Sequence, residues 1–151
     1  VKVAEETYNG GQKEGLCSKY YKSGELLESS WWKGDRREGL YRAFYTNGRP
    51  YLECRYAGGA RNGPCVSYHP SGEAEIEAFY ENDLPHGPWK YYDEKGTLLI
   101  TLHYDRGLLL NADQLRKLDS ARLEELEKQR GRLVDPENYL QNPEEILFRK
   151  P

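Results

Sequence analysis

The sequence contains no methionine, no apolar run long enough to cross a membrane and no long basic run. Aliphatic runs stop at three residues, as at Leu108 to Leu110, whereas a membrane-spanning helix needs roughly 20 apolar residues. The 22 basic and 25 acidic residues give a net charge of −3, so we expect no nucleic-acid partner. The same balance does not indicate attraction to anionic lipid headgroups, although a local patch on the folded chain leaves membrane contact open.

Cysteine is also scarce. Cys17, Cys54 and Cys65 are the only three, and an odd number without a C-x-x-C pair gives no complete disulfide framework and no zinc or redox motif. We therefore expect free thiols that fill gaps in a sheet.

The chain starts at Val1, inside a repeat, which favours a removed leader and an extracytoplasmic location in the periplasm or cell envelope. Free thiols favour the alternative, a cytoplasmic location.

Motifs of known enzyme classes are missing. There is no H-E-x-x-H, no G-x-S-x-G, no P-loop and no dinucleotide fingerprint. Glu73, Glu75 and Glu77 alternate along one strand, but such carboxylates more often serve solubility and block edge pairing than act as a hydrolytic pair. The histidines share no metal-ligand spacing and are expected to be exposed: His69, His86 and His103. We therefore predict no enzymatic activity, no cofactor and no metal.

What the sequence has instead is an internal period of 24 residues without insertions. Two columns of glycine follow it: Gly15, Gly39, Gly63 and Gly87, and Gly24, Gly48, Gly72 and Gly96. Two columns of aromatic residues do the same: Tyr8, Trp32, Tyr56, Tyr80 and Tyr104, and Tyr20, Phe44, Tyr68 and Tyr92. The chain is therefore predicted to be a tandem-repeat protein.

Each unit is predicted to be a β-hairpin. In the first unit, Gly15 to Tyr21 is a strand, Lys22 to Gly24 a turn and Glu25 to Trp32 the returning strand. The glycine that ends each turn indicates a positive φ, which is costly for a residue with a Cβ. The expected fold class is mainly β, a single-layer antiparallel meander of four 24-residue β-hairpin repeats over residues 1–107 with a C-terminal α-helical cap.

The returning strand alternates with period two, which separates two faces. The face expected to pack carries Glu28, Leu52, Ile76 and Ile100, then Ser30, Cys54, Ala78 and Leu102, then Trp32, Tyr56, Tyr80 and Tyr104. The wetter face carries Ser29, Glu53, Glu77 and Thr101, and a ladder of Trp31, Arg55, Phe79 and His103. Because Trp and Arg are common interface anchors, we interpret this ladder as a partner-binding surface if it faces outward. Cover by the helix or by a second sheet edge is the alternative.

The pattern Gly-x-x-x-x-Tyr-Tyr-x-x-Gly, followed by x-Leu and a distal aromatic, resembles the MORN-variant repeat of YwqK-like proteins described as antitoxins. It stands here at Gly15 to Gly24 with Tyr20, Tyr21, Leu26 and Trp32, and at Gly87 to Gly96 with Trp89, Tyr92, Leu98 and Tyr104. The third unit departs from it at His69, Pro70 and Ala74. The resemblance implies stacked hairpins that need end caps and an antitoxin role that masks a partner.

After Gly107 the period stops and a helical pattern begins, which sets a second region at residues 108–151. Asn111 or Asp113 is expected to N-cap a helix with one leucine face: Leu115, Leu118, Leu123, Leu126 and Leu133. Two Asx-Pro turns follow it, the first of which carries Tyr139 and Leu140. This segment is expected to cap the last hairpin; the alternative is a partner-docking helix with tail anchors.

These observations favour a non-catalytic repeat scaffold of bacterial type that mediates protein–protein binding, antitoxin-like as the resemblance implies. The residues predicted to contact the partner are Trp31, Arg55, Phe79, His103, Tyr139 and Leu140. An envelope-associated structural or lipid-contacting role, as proposed for some MORN proteins, is the first alternative. A hydrolase or saccharide-binding protein that uses the aromatic face is the second.

Overall fold

A computed structural model describes residues 3–130, which form thirteen β-strands, one 3-10 helix and one α-helix. The strands are β1 (Ala4–Glu5), β2 (Tyr8–Asn9), β3 (Gln12–Lys13), β4 (Gly15–Tyr20), β5 (Leu26–Lys33), β6 (Arg36–Phe44), β7 (Pro50–Ala57), β8 (Ala60–Tyr68), β9 (Ala74–Glu81), β10 (Leu84–Pro85), β11 (Gly87–Tyr92), β12 (Leu98–Asp105) and β13 (Leu108–Leu109). The 3-10 helix is Ala112–Lys117, and α1 is Ser120–Arg130.

The strands follow one another across the sheet in chain order. An eleven-stranded sheet runs β1-β4-β5-β6-β7-β8-β9-β11-β12-β13, with β10 paired to β9, and β2 pairs separately with β3. Neighbours are antiparallel, so the predicted antiparallel meander is confirmed. Four long hairpins make up most of the sheet and are numbered 1 to 4 below: β4–β5, β6–β7, β8–β9 and β11–β12.

Two kinds of turn alternate along the meander. Within hairpin 2, the Gly48 N–H donates to the Tyr45 carbonyl at 3.0 Å, and Gly48 has the predicted positive φ of 87°. Between hairpins 1 and 2, a two-residue turn places Gly34 and Asp35 at φ angles of 57° and 64°. Two successive positive angles give the turn whose twist matches that of the flanking strands.

A β-bulge follows each within-hairpin turn. In hairpin 1, Lys19 pairs with Glu28 and Tyr20 with Leu26, so Leu27 is an extra residue on the returning strand. The equivalent extra residues are Tyr51, Glu75 and Leu99, and like Leu27 they are buried. Period-two alternation therefore fails at this position, because Leu27 and Glu28 are adjacent in sequence and both buried.

The columns predicted to pack form one buried face, called the core face below. Leu52 and Ile76 expose 1% and 0% of their surface, and Tyr41 from the opposite strand exposes 1%. Rings supply much of the volume; Tyr80 and Trp89 meet edge to face with centroids 5.1 Å apart. A sequence low in aliphatic residues thus builds its core from aromatic residues with polar tips.

Neighbouring hairpins are tied together by a turn ladder, in which a side chain at the start of one turn bonds a backbone carbonyl 23 residues later. The three bonds join Tyr21 to Phe44, Tyr45 to Tyr68 and His69 to Tyr92, at 2.6, 2.9 and 3.2 Å. In hairpin 4 the equivalent residue is Asp93, whose carboxylate accepts N–H groups from Lys95 and Thr97 of its own turn. The turn ladder therefore ends at hairpin 4.

The C-terminal segment closes the free edge of hairpin 4. Asp119, which accepts the Arg122 N–H at 2.9 Å, caps α1. Asn111 holds the N-cap position of the 3-10 helix but makes no side-chain capping bond there, so the prediction of an Asn111 cap is right in position only and that of an Asp113 cap is wrong. The Asn111 side chain accepts the His103 N–H at 2.8 Å and donates to the Thr101 carbonyl at 2.9 Å. A side-chain amide has one donor and one acceptor side, so Asn111 satisfies the strand edge as a further strand would.

The α-helix packs beside hairpin 4 as a cap on the core. Leu126 is fully buried, and the Gln129 amide donates to the Tyr92 carbonyl at 2.9 Å. Leu115 and Leu118 pack against the core from the 3-10 helix and the residue after it, whereas Leu123 remains 37% exposed. Leu133 lies outside the described residues. Within residues 3–130 no helix is long and apolar enough to span a membrane.

The cysteines differ from the sequence-based expectation. Cys54 and Cys65 face each other across β7 and β8 with Cα atoms 4.1 Å apart and form a disulfide. The prediction of free thiols is therefore wrong for this pair and right for Cys17, which is free and buried. A register shift between Cys54 and Tyr56 brings the two cysteines opposite each other, and such a shift is not readable from cysteine spacing.

Candidate protein-binding surface

One column of side chains lies on the face turned away from the core. Trp31, Arg55, Phe79 and His103 occupy the same position in hairpins 1 to 4, and all are exposed. Trp31 exposes 49% and Phe79 41% of its surface, which is high for such large rings. The ladder therefore faces outward, and the helix, which packs on the core, does not cover it.

Each member of the ladder lies opposite a second side chain across its own hairpin. The pairs are Leu16 and Trp31, Leu40 and Arg55, Pro64 and Phe79, and Pro88 and His103. These eight residues are called the outer stripe below. The sequence analysis did not predict the four leucine and proline residues of the outer stripe. Their 24-residue spacing was nevertheless a readable signal, at Leu16, Leu40, Pro64 and Pro88.

Glutamates of the outward face are held by tyrosines of neighbouring strands. Glu53 accepts hydrogen bonds from Arg42 Nε and from the Tyr68 hydroxyl, both at 2.7 Å. Burial, and then the bond to Glu53, raises the pKa of Tyr68 to about 12. The bond from Tyr92 to Glu77, followed by burial, likewise raises the pKa of Tyr92 to about 12. Both hydroxyls therefore stay protonated and fix the carboxylates beside the stripe.

On the core face, basic side chains spaced by 24 residues stack on aromatic rings of the core. The Arg37 guanidinium lies 5.0 Å from the Trp32 ring centroid, 5.1 Å from that of Tyr41 and 5.5 Å from that of Tyr56. Lys13 lies 4.4 Å from the Trp32 ring, and Arg61 stacks on Tyr80 in the same way. The Arg37–Trp32 contact braces hairpin 2 against hairpin 1, whereas Arg61 and Tyr80 belong to the same hairpin. These cation–π contacts were not predicted, although Lys13, Arg37 and Arg61 fall in one column.

The third hairpin buries an ionisable pair. His69 and Glu75 expose 1% and 0% of their surface, with His69 Nδ1 3.5 Å from a Glu75 oxygen. Ser67 Oγ donates to the other Glu75 oxygen at 3.2 Å. The predictions of an exposed His69 and an exposed Glu75 are therefore wrong: the bulge turns Glu75 inward, and His69 takes the position that tyrosine holds in the turn ladder.

These buried groups do not form an accessible catalytic site. Ser67 and His69 both contact Glu75, and both are 1% exposed, so a substrate cannot reach either. Of the other histidines, His103 is exposed as predicted, whereas His86 is half-buried between Glu81 and Asp105. Among residues 3–130, no group of three or more His, Cys, Asp or Glu side chains is placed to hold a metal ion.

The structure thus brings together four of the six predicted contact residues. The other two, Tyr139 and Leu140, lie outside the described residues, so their role stays a prediction. The leucines expected to cap the last hairpin do so at three positions, since Leu126 is buried in the core and Leu115 and Leu118 pack against it. Leu123, at the middle of α1, is the leucine of that helix that remains exposed.

Comparison with known families adds one finding. Residues 85–106 match the MORN repeat variant, and this segment contains hairpin 4. No curated protein matches the chain. The match supports a MORN-variant repeat protein and a repeat scaffold; it does not extend to the YwqK-like antitoxin relationship.

Proposed function

We propose that this chain is a non-catalytic repeat scaffold that binds a protein partner through the outer stripe, and that its four hairpins are copies of one 24-residue unit. The main observation that supports this proposal is that four exposed side chains align on one face: Trp31, Arg55, Phe79 and His103. The recurrence of the turn-ladder bond at the same step supports the common unit.

Two physical features suit this surface to protein binding. Trp and Arg are enriched among residues that dominate interface energies. The stripe also stands on paired strands, so Trp31 and Phe79 are held at fixed spacing before a partner arrives. Preorganised contact residues lose little conformational entropy on binding, which leaves more of the contact free energy as affinity.

The test uses the full chain as a tagged bait in lysate of its source. The stripe variant is Trp31→Ser with Phe79→Ser; the control is Leu84→Ser with Leu98→Ser, since both leucines are 47% exposed and lie off the stripe. A stoichiometric partner retained by the wild type and the control, and depleted about tenfold by the stripe variant, supports the proposal. Equal retention by the stripe variant overturns it.

Two further baits locate any contact beyond the sheet. Tyr139→Ala with Leu140→Ala tests the predicted tail anchors, and Leu123→Ser tests the exposed side of α1. Both keep Leu126, whose removal would open the core and confuse a binding loss with unfolding. Loss of the partner with these baits alone would move the contact surface from the stripe to the C-terminal segment.

An antitoxin role is the special case in which the masked partner is toxic. Its test is co-expression: growth arrest by the captured partner is relieved by the wild type and not by the stripe variant.

The Cys54–Cys65 disulfide favours a second candidate, a structural or lipid-contacting protein of an oxidising compartment such as the cell envelope. Flotation with liposomes of bacterial lipid composition separates that candidate from a protein-binding scaffold.

A further inference from the structure

Two shallow depressions on the outward face recur at the same repeat position. The first, of about 240 Å³, is lined by Glu53, Arg55, Pro64 and Val66 among others. The second, of about 420 Å³, is lined by Glu77, Phe79, Pro88 and Lys90 among others. Each of these four residues lies 24 positions after its counterpart. The two depressions are therefore one feature of the unit, present twice.

Their spacing follows from the sheet. One unit contributes two strands, and neighbouring strands lie about 4.7–4.9 Å apart, so the depressions repeat roughly every 9.4–9.8 Å across the strands. A polyproline II helix advances about 3.1 Å per residue with three residues per turn, so equivalent side chains repeat every 9.3 Å or so. A β-strand repeats its side chains on one face about every 6.8 Å and an α-helical turn about every 5.4 Å, and neither matches.

The lining suits such a ligand. Phe79 and Pro88 border the second depression, and Pro64 borders the first, beside the aliphatic part of Arg55. Grooves lined by rings recognise polyproline II segments in several unrelated domains because that helix is stiff before binding. A stiff ligand on a preformed sheet loses little entropy, which compensates for the shallow depressions.

The charged side chains around the two depressions set the orientation of a bound ligand. At the second depression, His86 lies 3.3 Å from a Glu81 oxygen and 3.8 Å from an Asp105 oxygen, and these two carboxylate side chains are 42% and 62% exposed. Glu77 adds a third acid, against two bases, Lys90 and the imidazole of His86. At the first depression Glu53 is already paired with Arg42 at 2.7 Å. The excess of negative charge therefore lies at the hairpin 4 end.

Building on the proposed function, we propose that the partner segment is a proline-rich peptide in the polyproline II conformation. It lies across the strands of hairpins 2 to 4, with two residues three positions apart seated in the two depressions. A lysine or arginine of the peptide pairs with Glu77, Glu81 or Asp105 at the hairpin 4 end. The proposal fixes the class of ligand, its conformation and its orientation.

The test measures fluorescence anisotropy of labelled synthetic peptides with the full chain. The probe has about 12 residues, which is four polyproline II turns, with proline at every third position and one terminal arginine. One control peptide has the same composition with irregular proline spacing, and another replaces the arginine by glutamine. We expect binding of the probe about tenfold tighter than of the irregular peptide, and about tenfold weaker binding with Phe79→Ala.

Leu84→Ala is the matched protein control and should bind the probe as the wild type does. Amide chemical-shift mapping provides a readout without substitution, with the largest changes expected at residues 77–79 and 88–90. Equal affinity for the regularly and the irregularly spaced peptide, or no binding of any peptide, overturns the inference. If no peptide binds but a lysate partner is still lost with the stripe variant, the proposed function stands. The partner then binds the outer stripe in a conformation other than polyproline II.

Discussion

The Tyr45 hydroxyl donates a hydrogen bond to the backbone carbonyl of Tyr68 at 2.9 Å, which joins the turn of hairpin 2 to the end of the first strand of hairpin 3. Tyr21 makes the same contact with Phe44 one unit earlier. The contact links consecutive hairpins at the end of the sheet where the strands turn back. It therefore adds a side-chain tie to the backbone ladder between β7 and β8.

Tyr45→Phe should lower the free energy of unfolding by about 1–2 kcal/mol, because it removes the hydroxyl and leaves the Tyr68 carbonyl without this donor. Urea unfolding followed by tryptophan fluorescence measures the change. Tyr8→Phe is the control, since Tyr8 is 54% exposed and its loss of a hydroxyl should change little. Equal effects of the two substitutions would contradict a structural role for the Tyr45 contact.

Substitution of one partner of the buried His69 and Glu75 pair should be far more damaging than substitution of both. Glu75→Leu alone leaves the His69 ring facing an apolar side chain, and loss of a buried polar partner typically costs about 1–3 kcal/mol. His69→Tyr with Glu75→Leu restores the residue types of hairpin 1, Tyr21 and Leu27, and should be neutral or stabilising. A double-mutant cycle by urea unfolding measures the coupling; additive losses would show that the two side chains act independently.

Thiol counting distinguishes the disulfide from free cysteines. The unreduced chain, denatured and treated with a thiol reagent, should show one reactive thiol from Cys17, and the reduced chain should show three. Cys54→Ala with Cys65→Ala should lower the free energy of unfolding by about 3 kcal/mol, as expected for a short cross-linked loop. Three thiols without reductant would contradict the Cys54–Cys65 bond.

Stability should fall at alkaline pH because tyrosines are buried. Burial raises the pKa of Tyr21 from 10 to about 12 and raises the pKa of Tyr41 further, with Glu28 adding to it. Below pH 10 both the folded and unfolded chains keep these protons, so stability is unaffected. Between pH 10 and 12 the unfolded chain loses them first, so each such residue destabilises the fold by up to about 1.4 kcal/mol per pH unit.

Absorbance at the tyrosinate band, recorded alongside the unfolding free energy, checks this prediction. A fraction of the tyrosines should titrate only as the chain unfolds, and Tyr21→Phe should reduce that fraction. Titration of every tyrosine near pH 10 with the fold intact would contradict the burial of these hydroxyls.

Asn111→Ala should expose the edge of β12, since it removes both contacts with His103 and Thr101. We expect faster amide exchange at His103 and concentration-dependent association through the freed edge. Asp113→Ala is the control, because it lies in the adjacent 3-10 helix and does not bridge the strand. Size-exclusion chromatography over a range of concentrations would reveal the difference, and a monomeric Asn111→Ala chain with unchanged exchange would contradict it.

The repeating features of the fold could be predicted because they recur in the sequence. The positive φ of Gly48 and the outward position of Trp31 both follow from columns with a 24-residue step. Glu75 could not be placed by alternation alone, since a bulge shifts the face by one residue. Its column of Leu27, Tyr51, Glu75 and Leu99 is mostly apolar, and that was a signal of burial.

The Cys54–Cys65 pair shows why register was harder to predict than strand existence. The turn at Gly58 and Gly59 pairs Ala57 with Ala60, and uninterrupted pairing from there would place Cys54 opposite Gly63. The bulge moves the register by two residues and brings Cys65 opposite instead. The contact of Asn111 with the edge of β12 was missed for a similar reason, because sequence periodicity does not describe a strand edge.

The recurrence of the turn-ladder bond has a consequence for how such chains change in evolution. Phe44 lies 23 residues after Tyr21, and Tyr68 lies 23 after Tyr45, so duplication or deletion of one whole 24-residue unit leaves every remaining bond with an equivalent partner. Unequal recombination between gene segments that encode neighbouring hairpins would yield a foldable product in a single event. Asp93 and Asn111 do not take part in this exchange, because they close the last hairpin. Descendants of this gene would therefore differ in the number of internal units and keep a common ending.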